Sequence, residues 1–149
     1  MKSNQFDLSG KVALVTGGSK GLGKAMARGL AEFGADIIIS SRHEEELQGA
    51  LREILEGTGR RGTYVVADLA QREDVDRLTS AALQFMGRID ILVNNAGSNI
   101  LSPIDKVRDE DWDRIVQLNL SSCMALTRAL VPAMKERHWG RIIHISSVL

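Results

Sequence analysis

A glycine-rich turn directly after an apolar run is the feature that most constrains the fold of this chain. Residues 12–15 are typical of a buried strand, and Gly17, Gly21 and Gly23 follow them. Glycines let the backbone adopt positive φ and approach a ligand closely, and a helix that begins there presents unpaired N–H groups to an anion. The sequence therefore predicts a strand, a turn and a helix that bind the phosphates of a nucleotide cofactor. The alternative is a plain glycine turn, because short motifs also match by chance.

The spacing of these glycines excludes two common nucleotide-binding loops. Gly17, Gly21 and Gly23 follow a G-x-x-x-G-x-G pattern, which differs from the G-x-G-x-x-G fingerprint of many dinucleotide sites. The triphosphate loop does not fit either, because Lys20 is followed by Gly21 and not by a hydroxyl residue that could hold magnesium.

Length and composition are those of a globular protein. The 149 residues, 44% of them hydrophobic, predict a single domain over 1–149. The 19 basic residues balance the 19 acidic ones, so we expect neither nucleic acid nor a membrane surface as a partner. Neither a signal peptide nor a stretch of roughly 20 apolar residues is present, so we expect a cytoplasmic protein. Three scattered histidines and the single Cys123 do not form a metal-binding pattern.

Apolar runs of strand length alternate with segments of helical period. This alternation predicts an α/β fold with a doubly wound parallel sheet of the Rossmann type. We expect five strands, at residues 12–16, 36–41, 62–67, 90–94 and 141–147. The expected helices cover residues 21–33, 44–56, 72–85 and 109–137, with glycine stops that include Gly140. Pro132 should kink or end the last helix.

The polar motifs of the sequence all follow predicted strands. In a doubly wound sheet the ligand lies at the carboxyl ends of the strands, where the strand order reverses. We therefore expect one rim to carry the glycine loop and residues 40–42, 68–69, 94–97 and 146–147.

Together these motifs resemble the short-chain dehydrogenase/reductase family over the whole chain. The matching segments, in the family's order, are residues 10–18, Asp68 and residues 94–97, 119–121 and 140–147. The resemblance implies hydride transfer between a nicotinamide cofactor and a small-molecule alcohol or carbonyl. It also implies a set of cofactor-binding residues, namely Thr16, Gly17, Gly18, Ser19, Lys20, Gly21, Leu22, Gly23, Ser41, Arg42, Asp68, Leu69, Asn95, Ala96 and Gly97.

The end of the second strand predicts the choice of cofactor. An NAD site usually has an acidic residue there, whereas an Arg accommodates a 2′-phosphate. The residues here are Ser41 and Arg42, and Lys20 in the glycine loop adds a second cation, so we expect NADP(H), with NAD as the second choice. Alternatively, both cations are solvated and Glu44 reaches a ribose. The resemblance implies that Asp68 bonds the adenine amino group, and a helix cap is its other interpretation.

The family resemblance also implies catalytic roles. Ser147 matches the serine that bonds the carbonyl oxygen, with Ser146 as the alternative, and either serine could simply satisfy local backbone. Asn119 matches the residue that holds a water in the proton relay, or it is a helical Asn that bonds a neighbouring carbonyl.

The family's proton donor is the tyrosine of a Tyr-x-x-x-Lys motif beyond the serine. This sequence ends two residues after Ser147, and its one tyrosine, Tyr64, has Asp68 four positions later. We therefore expect the N-terminal part of a longer enzyme, nearly inactive alone, with Ile142, Ile143 and Ile145 along a sheet edge. The whole enzyme is expected to be a homodimer or homotetramer that acts on an oxoacyl or sugar-acid carbonyl. A nucleotide-binding or interaction protein without catalysis is the alternative.

Overall fold

Five apolar segments form one parallel sheet in the computed structural model, which describes residues 5–147. The strands are β1 (Val12–Thr16), β2 (Asp36–Ser41), β3 (Gly62–Val66), β4 (Ile91–Asn94) and β5 (Arg141–His144). Their order is β3-β2-β1-β4-β5, and every neighbouring pair is parallel. The order reverses between β1 and β4, so the crevice of the sheet opens at the carboxyl ends of these two strands. This topology confirms the predicted doubly wound α/β fold.

Helices cover both faces of the sheet because successive strand residues point to opposite sides. Val12 and Leu14 of β1 pack towards one face, whereas Ala13 and Val15 pack towards the other. The first face is covered by α3 (Arg72–Met86) and α5 (Ser122–Glu136), and the second by α1 (Gly21–Glu32) and α2 (Glu44–Leu55). Among residues 5–147, no helix is long and apolar enough to cross a membrane.

The long helix predicted over 109–137 is divided by a change in helical period. A helix α4 (Asp109–Val116) runs into a π-helical turn (Gln117–Ser121), and α5 continues from it. Pro132 lies inside α5, which continues to Glu136, so the expectation that this proline ends the helix is wrong. The predicted stop at Gly140 is also wrong, because the backbone already turns at His138, with φ of 54°.

A buried carboxylate ties the amino ends of β1 and β4 together. Asp90 is fully buried and accepts hydrogen bonds from the backbone N–H of Val12 (3.0 Å) and from Arg88 Nε (2.9 Å) and Nη2 (2.7 Å). Arg137 Nε lies 3.5 Å from the same carboxylate. The hydrogen bonds to Asp90 raise the pKa of Arg88. This cluster anchors the end of the sheet opposite the crevice.

The strand β5 forms one edge of the described sheet. Ile143 is 43% exposed and Ile145 is 37% exposed, whereas Ile142 is half-buried and packs on the core. The strand ends at His144, short of the predicted 147, although Ile145 still donates its N–H to the carbonyl of Asn94 (2.9 Å). Ser146 and Ser147 therefore follow the sheet at the crevice end.

Candidate cofactor site

A cleft of about 260 Å³ lies at the carboxyl ends of the strands. Most of the predicted cofactor residues line it, namely Gly17, Ser19, Lys20, Ser41, Arg42, Asp68, Leu69, Asn95, Ala96 and Gly97. The lining also includes Ser40, which the sequence placed at this rim, and three residues that the motifs did not assign, namely His43, Glu46 and Ser98. Within residues 5–147, no group of three or more His, Cys, Asp or Glu side chains is arranged to hold a metal ion.

Thr16 joins the glycine loop to the loop after β4. Its side chain is buried, with 1% of the residue exposed, and its Oγ1 donates to the carbonyl of Val93 (3.3 Å). The same oxygen accepts the backbone N–H groups of Asn95 (3.0 Å) and Ala96 (3.0 Å). The hydroxyl thus holds the turn at 95–96 in place, and Thr16 is not among the residues that line the cleft.

The Asn95 amide makes the reciprocal connection. Its Nδ2 donates to the carbonyls of Thr16 (3.0 Å) and Gly17 (3.2 Å). A Cβ on Gly17 would lie 2.8 Å from this nitrogen, and a Cβ on Gly23 would lie 2.5 Å from it and 2.2 Å from the Gly17 oxygen. These two glycines are therefore required for the loop to pack on itself and on Asn95, a role that the glycine spacing alone did not predict.

Gly18 and Gly21 are glycines for two different reasons, close packing and backbone conformation. A Cβ on Gly18 would lie 2.7 Å from Ile39, so the loop approaches β2 more closely than any side chain would allow. Gly21 has open space around it, but its φ of 54° falls in the left-handed region that disfavours residues with a Cβ. The chain enters α1 through this residue, and Leu22 next to it is 60% exposed.

The start of α1 is electrostatically suited to an anion. Helices α2, α3 and α4 each carry acidic residues in the first turn, which offset the positive end of the helix dipole. The first turn of α1 contains none, and its N-cap residue Lys20 makes no side-chain capping bond. No acidic residue of that turn therefore offsets the positive end of the helix dipole, which favours an anion there.

Glu46 interacts with two donors of the glycine loop, the hydroxyl of Ser19 and the ammonium of Lys20. Its Oε2 accepts from the Ser19 hydroxyl (3.1 Å), and its Oε1 lies 3.4 Å from Lys20 Nζ. The hydrogen bond from Ser19 and the charge of Lys20 both lower the pKa of Glu46. Arg42 lines the same cleft and makes no hydrogen bond or ion pair to the part of the chain that the structure describes.

Glu44 does not face the cleft, contrary to the alternative in which it reaches a ribose. Its Oε1 accepts from the Tyr64 hydroxyl (3.0 Å), and it is not among the lining residues. Glu46 was not among the predicted site residues, although the run of three glutamates at 44–46 indicated a carboxylate close to the end of β2. Only the direction of α2 decides which of the three points at the glycine loop.

Asp68 closes a turn and does not cap α3. Its Oδ1 accepts the N–H of Ala70 (3.1 Å), and its Oδ2 lies 3.3 Å from Arg114 Nη2. The N-cap of α3 is Gln71, so the helix-cap interpretation of Asp68 is wrong. The expected adenine contact stays a prediction.

Asn119 lies in the π-helical turn and holds the loop after β4. Its Oδ1 accepts the N–H of Ser98 (3.0 Å), and its Nδ2 donates to the carbonyl of Ser98 (2.9 Å). A Cβ on Gly97 would lie 3.3 Å from that Oδ1. The carbonyl that Asn119 bonds thus belongs to the loop after β4 and not to its own helix. Ser147 follows β5 at the same rim but is not among the residues that line the cleft.

The fold and the cleft place the chain in the class of Rossmann-type proteins with a glycine-rich loop at the topological switch point. A sequence model of the short chain dehydrogenases matches residues 11–149. The chain therefore belongs to the short-chain dehydrogenase/reductase family, as the motif resemblance predicted.

Similar proteins match nearly all of this chain. This chain is 39% identical to D-beta-hydroxybutyrate dehydrogenase of Cupriavidus necator over 141 aligned residues. The aligned region covers 94% of this chain and 54% of that protein. L-sorbose reductase from Gluconobacter frateurii, solved with NADPH and L-sorbose, is 39% identical with a TM-score of 0.91, over 96% of this chain and 54% of that one. A metagenomic short-chain oxidoreductase in complex with NADP is 37% identical with a TM-score of 0.89, over 95% of this chain and 64% of that one. The chain spans about half the length of the curated relatives it matches.

The packing role of Gly23 is testable by comparison with a second glycine of α1. Gly23→Ala places a Cβ 2.2 Å from a backbone oxygen and is expected to lower the free energy of unfolding by about 1–3 kcal/mol. Gly29→Ala has nothing within 4 Å of its Cβ and is expected to raise that free energy by about 0.5–1 kcal/mol. Urea denaturation of the full-length chain measures both, and equal responses would contradict the packing role.

Proposed function

We propose that this chain provides the cofactor domain of an NADP(H)-dependent oxidoreductase that interconverts a secondary alcohol and a ketone. The observation that carries the proposal is Arg42, which follows β2 at the cleft where an NAD site usually has an acidic residue. Lys20 lines the same cleft from the glycine loop. Two of the similar structures contain NADP or NADPH, which supports this choice of cofactor.

The residues of the cleft fit a dinucleotide phosphate. The N–H groups at the start of α1 suit the pyrophosphate, and Arg42 suits a 2′-phosphate because its planar fork matches phosphate oxygens. Ser40 Oγ is buried in the lining and has no hydrogen-bond partner within residues 5–147, so a ligand group there would satisfy it. Asp68 and Leu69 would contact the adenine, and residues 95–97 would follow the cofactor towards the nicotinamide.

NADPH would supply a hydride to the carbonyl carbon of the substrate. In the proposed reaction the Ser147 hydroxyl donates a hydrogen bond to the carbonyl oxygen, where negative charge develops. Asn119, which bonds both backbone groups of Ser98, keeps the loop after β4 in position beside the reacting groups and holds the relay water. Together these residues orient the carbonyl and stabilise its charge.

The proton donor for this reaction is not Tyr64. That tyrosine lies on β3, donates to Glu44 and accepts from Gln48 Nε2 (3.1 Å). No other tyrosine occurs in the 149 residues. We therefore propose that this sequence by itself binds the cofactor but turns over substrate very slowly, since general acid catalysis contributes about 10²–10⁴-fold.

For the substrate we propose a small polar ketone of the oxoacyl or sugar-acid type. The relatives named for hydroxybutyrate and for L-sorbose support a compound with a secondary alcohol. We also propose a homodimer or homotetramer formed through α4 and α5. Three apolar side chains on this helical segment are well exposed, namely Trp112 at 58%, Leu120 at 67% and Met124 at 50%.

The cofactor assignment is tested by titrating the full-length protein with NADPH and NADH and following fluorescence. We expect NADPH to bind more tightly, and Arg42→Asp to shift the preference towards NADH by at least about tenfold, because a charged hydrogen bond is replaced by repulsion. Arg52→Asp makes the same change at the other end of α2 and should leave the ratio unaltered. An unchanged ratio in Arg42→Asp would refute the phosphate role, and binding of neither coenzyme would refute the proposed function.

The serine assignment is tested on the whole enzyme of which this chain is proposed to be the cofactor domain, with a panel of oxoacyl, sugar-acid and other ketones. Ser147→Ala is expected to lower kcat by about 10²–10³-fold on every substrate used, since it removes a donor to the developing oxyanion. The Kd for NADPH should stay unchanged, and Ser146→Ala should retain most activity. The reverse order of the two variants would assign the role to Ser146.

The oligomeric state is tested by sedimentation velocity of the full-length protein. A dimer or tetramer is expected for the wild type. Leu120→Lys should shift it to a smaller species, because a charge would be buried in an apolar contact. A monomeric wild type would contradict the proposed assembly.

A further inference from the structure

Glu46, in the first turn of α2, contacts the glycine loop through its carboxylate and has no role in the family motifs. Glu46 reaches from α2 to the loop before α1, where it accepts from Ser19 Oγ (3.1 Å) and pairs with Lys20 Nζ (3.4 Å). Ser19 is only 9% exposed, so the hydroxyl that donates the hydrogen bond to Glu46 belongs to a largely buried residue. All three residues line the cleft, together with Arg42.

The two cations of the cleft, Lys20 and Arg42, differ in whether they already have a carboxylate partner. Lys20 already has a carboxylate partner, whereas Arg42 has none in the described residues. Glu46 stays ionised at neutral pH, because the bond from Ser19 and the charge of Lys20 lower its pKa. An incoming phosphate therefore meets one available cation, Arg42, and one cation, Lys20, whose charge Glu46 already offsets.

From this geometry we propose that Glu46 determines cofactor specificity, as an internal anion that competes with the 2′-phosphate for Ser19 and Lys20. The inference rests on the proposed function, because it assigns a role within the same cofactor site. A phosphate monoester carries about 1.5 to 2 negative charges at pH 7, so the carboxylate either gives up its donors or stays and repels the phosphate. NADH has a neutral hydroxyl at that position and does not compete for Lys20. Glu46 thus weakens NADPH binding selectively and narrows the preference for NADPH over NADH.

The neighbouring glutamates separate this role from a general effect of acidic charge. Glu44 bonds the Tyr64 hydroxyl, which directs it away from the loop. Glu45 is exposed and makes no hydrogen bond or ion pair to the residues that the structure describes. Glu45→Gln therefore removes the same charge from the same helical turn without altering the contacts of Ser19 and Lys20, which makes it the matched control.

The test is the Kd of NADPH and of NADH for full-length Glu46→Gln, measured by fluorescence titration. The neutral amide still accepts a hydrogen bond from Ser19 but no longer neutralises Lys20. We expect the Kd of NADPH to fall by roughly three- to fivefold, the range of an exposed ion pair, while the Kd of NADH stays constant. Glu45→Gln should change neither value. In a Lys20→Gln background the gain from Glu46→Gln should be smaller, because the carboxylate then has no cation to neutralise and acts on the phosphate by repulsion alone.

The alternative outcomes are distinguishable. A higher Kd for NADH in Glu46→Gln, with the Kd for NADPH unchanged, would show that the carboxylate accepts a hydrogen bond from a ribose hydroxyl. That result would overturn the proposal. An equal gain in Glu45→Gln would also overturn it, since the effect would then be long-range charge. NADPH binding that Glu46→Gln leaves unaltered would refute this inference alone, whereas a wild type that binds neither coenzyme would refute the proposed function as well.

Discussion

The hydrogen bonds between Thr16 and the loop after β4 hold the cofactor site together. They lie where the strand order reverses, so the two loops that meet there come from segments nearly 80 residues apart in the sequence. One buried hydroxyl satisfies two backbone N–H groups and a carbonyl, which otherwise would be left unpaired away from water. The Asn95 amide returns two bonds to the glycine loop. The walls of the cleft are therefore fixed before any ligand arrives, which lowers the entropic cost of binding.

Charge in the cleft is balanced locally, as it is over the whole chain. Glu46 pairs with Lys20, and Asp68 pairs with Arg114 from α4, so both carboxylates in the lining have cationic partners. Such pairs at the surface contribute little to stability, because solvent screens them. In the proposed site their larger effect would be on selectivity, since each pair determines which group a ligand must displace. Arg42 is the exception, because it has no carboxylate partner within residues 5–147, and in the proposed function it would bind the 2′-phosphate.

The sequence predicted the sheet more accurately than the details of the site. The bounds of β1 and β2 agree with the prediction because residues buried on both faces read as continuous apolar runs. The end of β5 was placed too late, since an apolar run does not show where pairing with β4 stops. The tertiary contacts of Glu46 and Asn119 were not predictable, because both depend on the relative placement of segments distant in sequence. The glycine motif was recognised, but the clash of a Gly23 Cβ with Gly17 appears only when the loop is folded.

The π-helical turn at Gln117–Ser121 has a consequence for how this protein tolerates insertions and deletions. A π-turn accommodates one extra residue within a helix as a local bulge, so the helical segments on either side keep the relative orientation that they would have without that residue. Here α4 buries no side chain, whereas α5 turns Leu126, Leu130 and Met134 into the core. If the turn adopted regular α-helical hydrogen bonding with all its residues retained, that apolar stripe would rotate by about 100° away from the sheet. Deleting one residue from the turn would instead remove the bulge and leave the stripe on the sheet, so a single-residue deletion is accommodated better here than elsewhere in α4 or α5.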